Sequence, residues 1–174
     1  FILRTDYDGV EASARYGSVT DGGRDEYRAS LTGGKTWQGG NILGVYEYLS
    51  RDTLEAADRS FSEGAPEPYD LLPEQKRQSF IASASQEITA GLNFFGDLAY
   101  SNQKSDYYST SAASGLVMRS RSDADQLNLA GGATWNMSET WTGELSAVYS
   151  DVQNDVNVQS SRLQLLDVSS KLWS

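Results

Sequence analysis

Leu92-Asn93-Phe94-Phe95-Gly96-Asp97-Leu98-Ala99-Tyr100-Ser101 separates into two interleaved sets. Leu92, Phe94, Gly96, Leu98 and Tyr100 form one, and Asn93, Phe95, Asp97, Ala99 and Ser101 form the other, blurred only by Phe95 and Ala99. Side chains alternate across a strand, so a period of two predicts a strand with one apolar and one polar face. Downstream, Leu127, Leu129, Gly131, Ala133 and Trp135 oppose Gln126, Asn128, Ala130, Gly132 and Thr134. Trp141, Gly143, Leu145, Ala147 and Tyr149 likewise oppose Thr142, Glu144, Ser146, Val148 and Ser150. Upstream, Val10, Ala12, Ala14 and Tyr16 share a face, as do Tyr27, Ala29 and Leu31, and Phe80, Ala82 and Ala84. Residues 42–49 carry apolar side chains on both faces and residues 163–172 change phase at Leu165-Leu166, so a bulge is expected in each.

These segments predict an all-β chain of about eight strands, joined alternately by short and long connections as an antiparallel up-and-down meander. Short turns fall at Gln38-Gly39-Gly40, Thr89-Ala90-Gly91 and Met137-Ser138-Glu139, and longer polar links at residues 18–25, 53–75, 107–122 and 151–161. At 39% hydrophobic and 22% charged, the 174 residues have the composition of a folded chain, not a disordered one. With no cysteine and no histidine, disulfides, thiolate or imidazole metal sites and histidine-dependent nucleophiles are excluded within these residues. Fourteen basic against 24 acidic residues leave a net charge of -10, which repels a phosphate backbone, so nucleic acid is not an expected partner. No run reaches the ~18 apolar residues of a membrane-spanning helix.

Alternation alone does not choose between lipid and water outside the sheet, because a soluble barrel alternates too. Three features point to lipid. Trp37, Trp135, Trp141 and Trp173 lie at the short-turn end, and Tyr16, Tyr46, Tyr48, Tyr100 and Tyr149 toward the long-loop end, so amphipathic rings bracket the apolar faces as at two membrane interfaces. The nine residues from Leu92 to Tyr100, rising ~3.3 Å each and tilted ~40°, approach the ~25 Å height of such an apolar band. Finally, Glu11, Arg15, Arg28, Glu47, Asp97 and Glu144 fall mid-strand on polar faces, where a dry core would penalise them and a wet lumen would not. The expected fold is therefore a partial segment of a transmembrane β-barrel.

Phe1-Ile2-Leu3-Arg4-Thr5-Asp6-Tyr7-Asp8-Gly9-Val10-Glu11, followed by Ala14-Arg15-Tyr16-Gly17, resembles the junction between plug and first barrel strand in TonB-dependent receptors. Gly44-Val45-Tyr46-Glu47-Tyr48, Arg51-Asp52, an acidic loop, and Asp70-Leu71-Leu72-Pro73 before Arg77-Gln78-Ser79-Phe80 are similar to that family's early barrel hairpins. The resemblance implies that residues 1–5 are the last plug strand and residues 6–174 the N-terminal part of a larger barrel in a bacterial outer membrane. It further implies import of a scarce siderophore, vitamin or carbohydrate. The implied partners are outer-membrane lipid, the plug and remaining strands of the parent chain, TonB acting through that parent, and a small-molecule ligand. No segment matches the family's energy-coupling box.

The Pro- and acid-rich stretch from Arg51 to Arg77 reads as an extracellular loop, with Arg59, Tyr69 and Arg77 as ligand contacts or as part of a solvated loop. Arg119 and Arg121, in the link at residues 107–122, suit an anion, or else pair with Asp123 and Asp125. Asp151, Asn154, Asp155 and Asn157 lack the glycine and terminal glutamate of a calcium loop, so neither metal nor other cofactor is expected. No enzymatic activity is expected. The alternatives are a passive or structural outer-membrane barrel, such as a porin, adhesin or anchor, and a secreted soluble β-domain.

Overall fold

A computed structural model describes residues 7–62, 64–138 and 140–162. The proposed plug strand at residues 1–5, the phase change at residues 163–172 and Trp173 lie outside them. The chain is all-β. Seven strands, β1 (Gly9–Ser18), β2 (Asp25–Trp37), β3 (Gly40–Arg51), β6 (Glu74–Thr89), β7 (Leu92–Thr110), β8 (Leu116–Ser138) and β9 (Trp141–Arg162), form one antiparallel sheet in that order. Each is bonded to its neighbour in sequence, and β1 and β9 are the two edges, so the meander is open. A two-stranded ladder, β4 (Leu54–Glu55) with β5 (Asp70–Leu72), and a single 3-10 turn at Ala56–Asp58 occupy the connection from β3 to β6.

The short connections are two-residue turns. Gly39 and Gly91 hold φ of +79° and +85°, which a residue bearing a Cβ resists and a tight hairpin requires. Neighbouring turns are tied laterally: Glu87 N–H donates to Gly39 O at 2.6 Å, and Asn136 N–H to Gly91 O at 2.7 Å. The register shifts sit beside these ties, between Glu87 and Thr89 and between Asn136 and Ser138. No shift interrupts β3, where a bulge was expected. Its mixed pattern arises instead because Leu43 and Leu49 sit on the otherwise polar face, at 6% and 1% exposure.

At the other end the structure corrects the connections. Residues 107–122 are not a loop, since β7 runs to Thr110 and β8 begins at Leu116, leaving a five-residue turn. Residues 151–161 belong to β9. Both segments are polar, yet polarity does not mark a loop here, because the backbone continues pairing residue for residue from Leu127 opposite Asp151 to Leu116 opposite Arg162. Strand length consequently grows across the sheet, from 10 residues in β1 to 23 in β8 and 22 in β9.

Register fixes the slant of the strands. Leu31, Tyr46, Phe80, Tyr100, Leu127 and Asp151 are successive partners in one hydrogen-bonded row. Measured from the short turns, Tyr46 stands six residues beyond Gly40, Tyr100 eight beyond Leu92 and Asp151 ten beyond Trp141. The stagger is two residues per hairpin, always in the same sense. One residue of ~3.3 Å per ~4.8 Å strand spacing corresponds to a tilt of ~35°, the slant of strands in barrel walls.

Candidate functional site: an exposed apolar band and a polar arginine face

Residues opposite one another in an antiparallel pair share a face, so the register assigns every side chain to one of two sides. Tyr16, Tyr46, Tyr48, Tyr100, Tyr149, Trp37, Trp135 and Trp141 all fall on the apolar side, together with Leu31, Phe80, Phe94, Leu98, Leu129 and Leu145. That side is open: Leu31 is 50% exposed, Trp135 55% and Leu145 79%. Among the described residues the buried hydrophobics are Leu43, Leu49 and Ala56, none of them from the apolar stripes. A water-soluble domain buries such stripes, and a large exposed apolar surface marks an interface with protein or membrane.

The band's edge toward the long connections is level in three strands. Counting from the first residue after each short turn, Tyr48, Tyr100 and Tyr149 each stand eight residues along, and Ser50, Asn102 and Asp151 each ten. The change from apolar to polar thus occurs at one height in β3, β7 and β9, although the hydrogen-bonded rows climb across that height. Ten residues at ~3.3 Å, slanted by ~35°, rise roughly 27 Å. Three of the tyrosine hydroxyls point toward the long-loop end. Tyr46 Oη donates to Gln78 Oε1 at 3.4 Å, Tyr100 Oη to Asp125 Oδ1 at 2.8 Å and Tyr16 Oη to Asp25 Oδ1 at 3.1 Å. Each acceptor lies two residues nearer the long-loop end than the tyrosine's direct partner. At the turn end Trp37 Nε1 donates to Gln86 Oε1 at 2.6 Å. Lys35, two residues from that end, is paired with Asp8 at 2.9 Å.

Beyond the tyrosine line the same side becomes ionic. Lys76, Lys104, Asp106, Arg121, Asp123 and Asp155 line an open cleft of about 600 Å³. Arg119 and Arg121 belong to β8, not to a loop, and both bond Asp106 on β7 in place of the expected Asp123 and Asp125. They find Asp106 because it stands opposite Arg121 in the register. Asp123 pairs with Lys104 at 2.9 Å, and Asp125 accepts from Tyr100 and Asn102. Arg119 also lies over the Tyr108 ring, 4.7 Å from its centroid. Hydrogen bonds from Arg119, then its charge and that of Arg121, hold the Asp106 carboxyl below the usual carboxylate range.

The connection between β3 and β6 is strapped to the sheet. Arg59 spends its Nη1 on the carbonyls of Asp58, Gly22 and Asp21 at 2.7, 3.1 and 3.4 Å, fastening it to the β1–β2 turn. Asp70 accepts the Tyr108 N–H at 2.6 Å, Thr110 Oγ1 donates to Pro68 O at 2.7 Å, and Tyr69 hydrogen-bonds Tyr107. Burial pushes the Asp70 carboxyl up, and the Tyr108 N–H only partly offsets this. Arg59 and Tyr69 therefore hold this connection in place.

Arg77 is not part of it. It lies in β6 on the polar side, as do Glu11, Arg15, Arg28, Glu47, Asp97 and Glu144 in their strands. Arg15, Arg28, Leu49, Arg77 and Gln103 form one row. Leu49 is buried because long arginine stems flank it on both neighbouring strands. Arg77 Nη2 donates to Glu47 Oε1 at 2.7 Å, and Arg51 Nε to Glu26 Oε2 at 2.7 Å with Nη1 reaching Gln75 at 3.3 Å. Arg51 was missed as a member of this face, although its phase with Glu47 and Leu49 announces it. No group of metal-ligating side chains occurs among the described residues.

Comparison of the chain with models of known protein families, with characterised proteins and with solved structures found no match.

Proposed function

We propose that the chain is part of the wall of a β-barrel in a bacterial outer membrane, and that the barrel is a TonB-dependent receptor importing a scarce nutrient. The observation that carries the membrane reading is the level edge of the apolar band. A boundary that cuts across the hydrogen-bonded rows, at one height in β3, β7 and β9, is what an external slab of hydrocarbon imposes on slanted strands. The tyrosine rings with hydroxyls directed toward the long-loop end are the anchors such a boundary favours. The receptor reading draws on the resemblance of residues 1–17 and 44–80 to that family's plug junction and first hairpins. In it, the polar side faces a watery lumen and the strapped connection between β3 and β6 stands on the extracellular side.

Depth-dependent fluorescence quenching tests the slab. In vesicles carrying brominated acyl chains, Trp135 and Trp141 should be quenched most by labels near one headgroup region, and labels introduced at Asn102 should escape those at the bilayer centre. Quenching at Asn102 equal to that at Leu98 refutes the membrane reading. For import, cells bearing the intact gene should accumulate its nutrient only when TonB is present, and equal accumulation without TonB points to a passive channel.

A further inference from the structure

On the polar side, Arg15 stands directly opposite Arg28, and Arg28 is separated from Arg77 by Leu49 alone. Like charges placed opposite one another in a sheet repel, a cost that a bound counter-charge would offset. The nearby carboxylates supply it only in part. Glu26 is taken by Arg51 at 2.7 Å and approaches Arg28 no closer than 3.8 Å, while Glu47 is taken by one nitrogen of Arg77. Arg15 and Arg28 make no side-chain hydrogen bond among the described residues, and the Nε atoms of Arg28 and Arg77 are buried without a partner. A guanidinium carries five donors arranged to receive oxyanions in pairs, so three of them in one row present a largely unspent set.

We infer that Arg15, Arg28 and Arg77 form a binding row for a small polyanion carrying at least two carboxylate or phosphate groups. Arg28 and Arg77 lie two strand spacings apart, ~10 Å between backbones. A ligand spanning them needs oxyanions at both ends and tolerates an apolar middle above Leu49. Arg15 adds a third contact beside Arg28. A neutral sugar or an uncharged vitamin leaves the guanidiniums unmatched. The inference rests on the barrel reading for one point, that the polar side is the watery one.

The test uses the full-length protein in detergent micelles, with citrate and pyrophosphate as probes, a neutral trisaccharide as control and titration calorimetry as readout. Both anions, or one of them, should bind and the trisaccharide should not; which anion binds identifies the carrier of the charge. Arg28→Gln with Arg77→Gln should weaken anion binding at least ~10-fold, the loss expected for charge-assisted bonds, whereas Lys104→Gln on the other side should leave it unchanged. Should the double variant fail to fold, Arg15→Gln alone should still weaken binding several-fold. Absence of anion binding by the unaltered protein, or unaltered binding by folded variants, overturns the inference. Vesicle insertion is scored separately, so failed insertion counts against the barrel wall and lost anion specificity against this row.

Discussion

Replacing Leu98 by arginine puts a charge in the middle of the apolar band. Leu98 stands six residues beyond the β6–β7 turn on an interior strand, between Ala82 and Leu129. At ~3.3 Å per residue and a ~35° slant its height is roughly 16 Å in a band of roughly 27 Å, close to the centre. An arginine facing lipid at that depth costs about 2–4 kcal/mol, a shift of about thirty- to several-hundred-fold in the folding equilibrium. Ala99→Arg moves the same side chain one residue on, to the polar side between Ile81 and Asn128, where water solvates it and the expected cost is under about 1 kcal/mol. Asn102→Arg returns to the outer side above the tyrosine line and should cost about 0–1 kcal/mol. Urea titrations of the chain refolded into vesicles, followed by tryptophan emission and by gel mobility without heating, give the three values. Equal destabilisation by Leu98→Arg and Ala99→Arg, or a larger effect of Ala99→Arg, refutes the assignment of faces.

Leu49→Ala should cost about 2 kcal/mol, the low end for a buried leucine, because the flanking arginine stems can settle into the space; the same urea titration reports it. Asp106→Asn should remove about 1 kcal/mol by freeing Arg119 and Arg121, seen as faster amide exchange at Thr110 and Leu116 beside the β7–β8 turn. Since Arg119 lowers the Asp106 carboxyl, its contribution is fully present above the ordinary carboxylate value of ~3.9 and is lost as pH falls through the lower folded value. Wild-type exchange at those amides should therefore approach that of the Asn variant only below about pH 3.9. Gly23→Ala places a Cβ against the Asp58 side chain at a φ of +89°, and should cost about 1 kcal/mol and speed tryptic cleavage at Arg59.

The alternation was legible residue by residue: seven predicted strands, from Val10-Tyr16 to Trp141-Tyr149, lie in the seven-stranded sheet. Period two also set the sides, so Glu11, Arg15, Arg28, Glu47, Asp97 and Glu144 fall together opposite the rings. What failed was the rule equating a polar run with a loop. Beyond Asn102 and Asp151 the outer side turns from Leu and Tyr to Lys, Asp and Asn while pairing continues, because the backbone satisfies itself in the ladder whatever solvent its side chains meet. Pairing partners were equally out of reach. The choice of Asp106 over Asp123 for Arg121 depends on the β7–β8 register, which sets Asp106 directly opposite Arg121 and which no local composition marks.

The unequal lengths of the two outermost strands carry a consequence for assembly. Were β9 to zip onto β1, the ten residues of β1 would satisfy fewer than half of the 22 along β9, leaving a dozen amide positions in want of partners. Those positions lie largely beyond Asp151, above the apolar band, where water meets the peptide groups, so on the barrel reading the mismatch falls outside the hydrocarbon. The ladder left bare along the upper half of β9 is thus a template that another strand can meet from the watery side.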